Sequence, residues 1–428
     1  MKKQKTTALI AIILAAILIL SGCNPRKEAQ GPVVITYATL NIDFEMEEQI
    51  AVWNQSQEEC RIEIQNYEDS DVGRMQLNND IVSGKGPDLL DLSDINVGNY
   101  AAKGILADLY PFIDADEQLS RQELVPGVIQ TYEVNGKLYG IPLGYRFETL
   151  LGKKELVGDA VNWTTDKMLQ RLQELKEDDV LLDALSPMGL LRAALAADMS
   201  SYVNWDKGEC YFEDEKFRKL LELASCLETP NMTMEETKER LSTGSLLLER
   251  AYISSVSEFQ SYSEEFGGDE LSWLGFPSEQ GGKAILYTRM PIGILEMSEN
   301  KDIAWKFISF LCGEEFQANH ILFNFPIRLS ALQESFQTAM GENPYIEQPP
   351  DAPEWIPATQ REIDTLFAGI CNSQSEAIFD ANIWNIVYEE TAPFFEGSKT
   401  MDEVINVIQS RVSLYVSENS IKAYTVLQ

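Results

Sequence analysis

The architecture of this chain follows most directly from the segment Ser83-Gly-Lys-Gly-Pro-Asp-Leu-Leu-Asp-Leu92. Its glycines and proline predict the end of a helix, and Asp88–Leu92 then has the apolar run of a buried strand. Upstream, Val33–Tyr37 and Arg61–Gln65 also have strand patterns. Two helical stripes separate the three strands: Met46, Ile50 and Trp53, and then Val72, Met75 and Val82. This β-α-β-α-β order predicts an α/β fold with a mostly parallel sheet covered by helices.

Apolar stripes at helical spacing continue downstream. We interpret them as the core-facing sides of four amphipathic helices: Met168, Leu172 and Leu175; Phe217, Leu220, Leu221, Ala224 and Leu227; Ile303, Ala304, Phe307, Ile308 and Leu311; and Val404, Ile405, Ile408, Val412 and Tyr415. Between the last two stripes, Asn343–Pro357 is rich in proline and polar residues, which predicts a surface connection.

The composition limits the possible functions. The chain has 428 residues, long enough for roughly two to three domains of about 150 residues each. Its 34 basic and 68 acidic residues give a formal charge of −34, which argues against binding nucleic acid or docking on anionic lipid through basic patches. His320 is the only histidine, so a metal site built from several histidines is excluded, and we expect no cofactor.

The N-terminus has the features of an export signal. Three lysines precede Ala8–Leu20, an apolar run of thirteen residues that is too short to cross a hydrocarbon core of about 30 Å comfortably. Leu20-Ser-Gly-Cys23 then resembles the bacterial lipobox, which implies cleavage before Cys23 and attachment of lipid to its thiol. The alternative is an ordinary secretory signal. We predict a signal peptide over 1–22 and a polar tether over 23–32, so the protein lies at the extracytoplasmic face of the cell membrane, held by a lipid anchor.

Processing and cysteine content sharpen this prediction. Removing residues 1–22 leaves 31 basic residues against 68 acidic ones, a formal charge of −37. With Cys23 lipidated, five cysteines remain, and an odd number leaves at least one thiol unpaired within the chain. Cys312 follows the apolar segment 303–311, so we expect it to be a small core residue. The sequence contains no CxxC pair that would indicate a redox or zinc motif.

Several segments resemble one family in the family's own order. Ser83–Leu92 and Val134-Asn-Gly-Lys-Leu-Tyr-Gly-Ile-Pro142 resemble extracellular solute-binding proteins of ABC importers, the sugar-type proteins related to maltose-binding protein. The second segment is the most specific, with a hairpin turn at Asn135-Gly136. Five further segments are similar to the family: Gly104–Leu109, Leu151–Leu156, Trp273–Pro277, Lys301–Leu311 and Phe325–Arg328. Leu92 departs from the pattern, because maltose-binding protein places a stacking tryptophan there.

The resemblance implies two α/β lobes, of the type 2 periplasmic-binding-protein fold, with the ligand in the cleft between them. Three crossings join the lobes, near Tyr145–Glu148, Ile285–Arg289 and Pro326–Ser330. Lobe one is then 33–146 plus 289–327, and lobe two is 147–286 plus 328–428. Ligand binding favours closure about the crossings, which is a hinge motion.

Candidate ligand-binding residues follow from the rule that sites in open α/β sheets lie beyond the carboxyl ends of strands, from the crossings, and, for Tyr252 and Trp273, from the ligand-stacking aromatic and the strand before the second crossing that the resemblance implies. They are Asn41, Asp43, Asp94, Asn96, Tyr145, Arg146, Tyr252, Trp273 and Arg328, and Glu148 lies beside two of them at the first crossing. Alternatives exist for several: Asp43 and Asp94 as helix caps, Arg146 as an interlobe salt bridge, and Tyr252 and Trp273 as packing residues.

The sequence therefore predicts a binding protein that captures a mono- or oligosaccharide and delivers it to ABC permease subunits. We expect a monomer that catalyses no reaction. One alternative is the same fold binding another solute, such as a peptide or a polyamine. Another is an extracellular glycosidase that uses two carboxylates. Other enzyme classes are disfavoured, because the sequence has neither a Gly-x-Ser-x-Gly elbow nor more than one histidine.

Overall fold

The computed structural model describes residues 31–158, 163–183, 185–205, 207–227, 232–319, 321, 324–342, 355–372 and 380–419. The predicted signal peptide, Cys23, His320 and most of the predicted connection 343–357 lie outside these residues. Among the helices of the described part, none is both long enough and apolar enough to cross a membrane.

The first five elements have the predicted β-α-β-α-β order. They are β1 (Val33–Thr39), α1 (Phe44–Ser56), β2 (Cys60–Asn66), α2 (Asp71–Val82) and β3 (Leu89–Asp91). β1 lies between β2 and β3 and pairs parallel with both, while β13 (Ile292–Ile294) pairs antiparallel with β3. Asp43 and Ser70 cap the two helices, because each side chain accepts a hydrogen bond from a backbone N–H of the first turn. The predicted α/β fold is confirmed.

One predicted core face is wrong. Val72, Met75 and Val82 are exposed on α2, and the buried side of this helix instead carries Leu77 and Ile81. Gly73 sets this rotation, because a Cβ at Gly73 would lie 1.9 Å from the carbonyl oxygen of Glu68. α2 therefore packs against the preceding segment at Gly73, where the absence of a side chain allows close contact. The three apolar residues of the predicted stripe face solvent as a result.

A second sheet is built around one long strand, β6 (Gly144–Lys153). Its order is β11-β6-β10-β7, formed with β7 (Val180–Leu182), β10 (Leu246–Ile253) and β11 (Leu271–Trp273). Two more strands, β12 (Ile285–Arg289) and β14 (Phe325–Pro326), pair antiparallel with the first half of β6. Along the chain, β6 follows the elements around the first sheet, and β12 directly precedes β13 of that sheet, so both strands connect the two sheets.

Helices cover both sheets. In chain order the remaining ones are α3 (Val97–Ala102), α4 (Tyr110–Ala115), α5 (Pro126–Ile129), α6 (Lys154–Val157), α7 (Thr165–Glu174), α8 (Pro187–Asp198), α9 (Glu215–Ser225), α10 (Met234–Thr243), α11 (Val256–Glu265), α12 (Lys301–Leu311), α13 (Glu314–Asn319), α14 (Leu329–Met340), α15 (Gln360–Asn372), α16 (Ala381–Phe395) and α17 (Met401–Asn419). The four downstream stripes predicted from the sequence lie on α7, α9, α12 and α17, except that Leu175 and Leu227 lie just beyond the ends of α7 and α9. α15 contacts α5, which belongs to the N-terminal part of the chain, and also contacts β11 of the second sheet.

Two local predictions are also confirmed. The short strands β4 (Glu133–Val134) and β5 (Lys137–Leu138) form the predicted hairpin, and Asn135 and Gly136 both have positive φ, as a two-residue type I′ turn requires. Cys312 is fully buried in the core. Cys60, Cys210, Cys226, Cys312 and Cys371 are all free thiols.

Candidate ligand-binding cleft

A cleft of about 930 Å³ opens between the two sheets. Its wall on the side of the first sheet is the loop 92–97 that follows β3, together with the first turn of α2. On the other side the wall is β12, one face of α8 and the start of α16. The cleft thus lies beyond the carboxyl end of a parallel strand, where ligands bind in open α/β sheets.

Asp94 and Asn96 both line this cleft, on the loop after β3. The Asn96 side chain also caps α3 by accepting a hydrogen bond of 2.9 Å from the Asn99 N–H, whereas the Asp94 carboxylate is exposed. The loop is held from behind by Asp91, which accepts hydrogen bonds from the Ser93 N–H and hydroxyl. The predicted position after this strand is therefore part of the cleft.

One face of the second sheet forms the centre of the site. Strand alternation puts Arg146 and Glu148 of β6 on the same face, and cross-strand pairing adds Tyr252 of β10 opposite Glu148 and Tyr287 of β12 opposite Arg146. Arg250 of β10 shares this face, which we call the polar face. Three of its members, Glu148, Arg250 and Tyr287, line the cleft.

Glu148 organises the polar face. Its carboxylate is only 1% exposed, and its Oε1 accepts a hydrogen bond of 2.6 Å from Nε of Arg250 and forms an ion pair with Nη2 of the same guanidinium, also at 2.6 Å. Its Oε2 accepts a hydrogen bond of 2.6 Å from the Tyr287 hydroxyl. Burial and then this bond to Glu148 raise the pKa of Tyr287 well above its ordinary value, so the phenol stays protonated and keeps donating.

Two predicted residues extend the polar face beside the cavity. The Tyr252 ring is 44% exposed and carries the Arg250 guanidinium 4.9 Å from its centroid. Arg146 is exposed, and its guanidinium lies 5.8 Å from the centroid of the Tyr287 ring. Each tyrosine therefore has a cation over one face. Neither Arg146 nor Tyr252 is part of the cavity wall itself.

The two candidates after β1 lie away from the cavity wall. Asp43 caps α1 through a 2.9 Å hydrogen bond from the Glu45 N–H, and its Oδ2 lies 3.0 Å from Nη2 of Arg289 at the second crossing. Asn41 is exposed, and its N–H donates to the Thr39 hydroxyl. Asp43 thus ties the first helix to a crossing.

Tyr145 and Trp273 are packing residues in this structure. Tyr145 is fully buried between Phe147 and Phe325, on the face of β6 opposite Arg146. Trp273 packs edge-on against Phe147, and a Cβ at Gly369 would lie 2.5 Å from its indole ring. Both aromatic rings therefore stabilise the core beneath the polar face.

Arg328 is also internal, at 6% exposure. Its Nη1 donates to the Cys312 carbonyl at 3.1 Å, and its Nη2 donates to the Gln118 carbonyl at 3.2 Å and to the Glu123 carboxylate at 2.8 Å. The guanidinium therefore joins the end of α12 to the segments around Gln118 and Glu123.

Several lining residues were not among the candidates. Arg192 lies on α8, and Asp380, Asn382 and Tyr415 come from the C-terminal helices. The Tyr415 hydroxyl donates to Asp380 at 3.0 Å and accepts from the Asn382 amide at 3.0 Å. No local sequence pattern indicates these positions, because they meet the cleft only through helix packing.

The second crossing supplies the other missed group. Thr288 follows Tyr287 on β12, and its hydroxyl lies 2.7 Å from the Tyr132 hydroxyl. The sequence does contain a signal for Tyr287 and Thr288, because both lie in the segment 285–289 that was predicted as a crossing.

The chemistry of the cleft is that of recognition through hydrogen bonds and ring faces. Across the described residues, no group of three His, Cys, Asp or Glu side chains is placed to hold a metal ion. The wall instead offers hydroxyl, amide and guanidinium groups beside the Tyr287 ring. A small number of placed polar groups in a concave site fixes the orientation of a small molecule.

The fold is shared with solved binding proteins. The sugar-binding protein MalE of Xanthomonas citri is 17% identical, with a TM-score of 0.61 over 92% of this chain and 100% of that one. An ABC substrate-binding protein of Listeria monocytogenes, solved with cycloalternan, is 16% identical, with a TM-score of 0.56 over 90% and 99%. The cyclic alpha-maltosyl-1,6-maltose binding protein of Arthrobacter globiformis is 16% identical, with a TM-score of 0.55 over 91% and 100%. These likenesses show a two-lobed fold.

The family follows from a comparison of the sequence with family models. No curated protein matches the chain. Residues 49–344, well over half of its length, match the model described as bacterial extracellular solute-binding protein. The chain belongs to the family of bacterial extracellular solute-binding proteins.

Proposed function

We propose that this protein captures a mono- or oligosaccharide in the cleft and delivers it to the permease of an ABC transporter. The observation that carries the proposal is the polar face, where two exposed tyrosine rings flank the partly exposed Arg250 guanidinium and the buried carboxylate that it pairs with. Sugars present hydroxyl groups and apolar ring faces. Fixed donors and acceptors bind the first, and aromatic rings cover the second.

The size of the cleft supports a sugar of more than one unit. Its volume of about 930 Å³ lies near the upper end of the roughly 300–1,000 Å³ of ordinary small-molecule sites. Two solved proteins of similar fold bind sugars of several units, cycloalternan and cyclic alpha-maltosyl-1,6-maltose, and a third was solved with the monosaccharide alpha-D-tagatose. We propose Asp94, Asn96, Arg250 and Tyr287, which line the cleft, as ligand contacts, and Tyr252, beside the cavity, as a further contact for a sugar of more than one unit.

The crossings support closure around the ligand. β12 and β14 are bonded to β6 near its first residues, so the connection between the lobes is a narrow ladder of three strands. A narrow connection can bend, and a ligand that contacts both walls favours the closed form by its extra contacts there. A permease then has one closed, loaded form to recognise.

The chemical class of the ligand can be tested by measuring how candidate ligands change the Tm of the protein. A chain lacking residues 1–23 is heated with neutral sugars of one to four units, with peptides, and with polyamines. A ligand at 100 times its Kd stabilises the folded state by about 2.7 kcal/mol, which is a measurable rise in Tm. Stabilisation by a sugar supports the proposal, and stabilisation by a peptide or polyamine alone contradicts it. Turnover of any stabilising sugar by the pure protein contradicts the absence of catalysis.

We also propose that the protein is a monomeric lipoprotein on the extracytoplasmic face of the membrane. The support is the lipobox at Leu20–Cys23, which lies outside the described residues, and the extracellular family. Cys23→Ala is expected to abolish labelling by a radioactive fatty acid and to release the protein from the membrane fraction. Cys226→Ala is the matched control and is expected to leave both unchanged.

A further inference from the structure

We infer that the cleft selects uncharged sugars over uronic acids and other anionic sugars, and that Glu148 sets this preference by neutralising Arg250. The inference rests on the proposed function, because it concerns the charge of a sugar in the same site. Glu148 acts on the ligand indirectly, through Arg250 and Tyr287, which it holds by hydrogen bonds.

The balance of charge in the wall is the first observation. Among the described residues that line the cleft there are three arginines, Arg74, Arg192 and Arg250, and four carboxylates, Asp71, Asp94, Glu148 and Asp380. The wall has no lysine in the described part. A site for an anion needs excess positive charge, because charges attract more strongly in a partly desolvated cleft than in water. This wall has none.

The pairing of the central cation is the second observation. One carboxylate oxygen of Glu148 lies 2.6 Å from two nitrogens of Arg250, as a hydrogen bond from Nε and an ion pair with Nη2, and the carboxylate is almost fully buried. This carboxylate therefore neutralises the guanidinium at short range. Arg74 is likewise 2.9 Å from Asp69. Arg250 keeps its hydrogen-bond donors, but a ligand meets them as part of a neutral pair.

The remaining wall groups suit hydroxyl recognition. Tyr287 is held by Glu148, and Thr288 by Tyr132, so both hydroxyls have fixed orientations. Asp71 and Asp94 are exposed carboxylates on the opposite wall. They accept from sugar hydroxyls and repel the carboxylate of a uronic acid.

Matched sugar pairs test the inference. The probes are galacturonate oligomers against galactose oligomers of the same length, and glucuronate disaccharides against their glucose counterparts, in low salt to limit screening. The wild-type chain lacking residues 1–23 is expected to be stabilised by neutral members only. Preference for the acidic members overturns the inference and leaves the sugar proposal standing. Stabilisation by no sugar at all overturns both.

The role of Glu148 is tested by a charge cycle. Glu148→Gln keeps the shape and leaves Arg250 uncompensated, so the ratio of acidic to neutral affinity is expected to rise on the order of tenfold or more. Adding Arg250→Gln is expected to cancel this gain. Asp114→Asn is the control, because Asp114 is also a carboxylate paired with one arginine, Arg121, but lies outside the cleft wall.

Each outcome of the cycle decides the question. An unchanged ratio in folded Glu148→Gln assigns the preference elsewhere and refutes the role of this residue. If the ratio of acidic to neutral affinity stays raised in the double variant, Arg250 is not the cation involved, and the proposed role of Glu148 is again refuted. Should Glu148→Gln not fold, the wild-type pairs still decide the charge preference, and Arg250→Gln is expected to weaken neutral sugars without favouring acidic ones.

Discussion

Replacement of Arg328 by Met separates a structural role from a ligand contact. The sequence resemblance implied that this residue contacts the ligand, and the structure places its guanidinium in the interior, against Cys312, Gln118 and Glu123. Met keeps an unbranched apolar stem of similar reach and removes every donor. We expect a less stable protein that binds its sugar with unchanged affinity.

The magnitude follows from the three acceptors that lose a partner. The Cys312 carbonyl belongs to a fully buried residue, and leaving it unsatisfied costs about 1–3 kcal/mol. The Gln118 carbonyl adds a smaller amount, because its segment is nearer the surface. The Glu123 side chain is 43% exposed, so its ion pair with Arg328 contributes little. The free energy of unfolding is therefore expected to fall by about 2–4 kcal/mol.

Urea denaturation of both proteins measures the stability, and calorimetric titration with the stabilising sugar measures the affinity. Arg121→Met is the matched control. Its partner Asp114 accepts two hydrogen bonds from Arg121 at the surface, so little change in stability is expected. A Met variant of Arg328 that keeps its stability but loses affinity tenfold refutes this account and puts the guanidinium in contact with the ligand.

Three further predictions use other assays. Burial and two neighbouring carboxylates raise the pKa of Glu249 to about 7, so its favourable contribution to folding is present below the unfolded pKa of about 4.5 and is lost as pH rises through 7. Glu249→Gln is expected to flatten this decline and to raise Tm at pH 8. Tyr252→Ala removes an exposed ring of the polar face and is expected to weaken sugar binding about tenfold in calorimetry, with little loss of stability. Thiol labelling of the native chain is expected to modify the exposed Cys226 and Cys371, while burial raises the pKa of Cys312 to about 12 and keeps it unlabelled until urea is added.

The order of strands and helices was predictable because it depends on local patterns. The stretch 33–92 has period-two and period-3.6 signals strong enough to give five elements in sequence. The face of α2 was not predictable from its apolar residues. Two stripes compete on that helix, and a glycine at 73 selects between them by letting the backbone approach Glu68. A stripe shows that a helix has an apolar side, and tertiary contacts decide whether that side is buried.

The residues on the polar face could be predicted in part from the sequence, because side-chain direction in a strand follows a simple rule. Successive side chains of a strand point to opposite faces, so Arg146 and Glu148 had to share one face of β6 and Tyr145 the other. This alternation separates Tyr145 from the face that carries Arg146 and Glu148. Pairing of β12 with β6 then adds Tyr287 to that face, opposite Arg146. By contrast, Arg192 and Tyr415 are more than 200 residues apart and meet only because two helices pack against the same cleft.

The net charge of the chain carries no information about the charge of its ligand. A formal charge of −34 spread over the surface supports solubility, and exposed charges are screened beyond about 8 Å at physiological salt. Inside the cleft, selection depends on groups within about 4 Å of the ligand. There the decisive quantity is whether each cation already has a carboxylate, and Glu148 supplies one to Arg250 at 2.6 Å. One substitution at Glu148 therefore changes the ligand charge that the cleft prefers while it alters the net charge of the chain by a single unit.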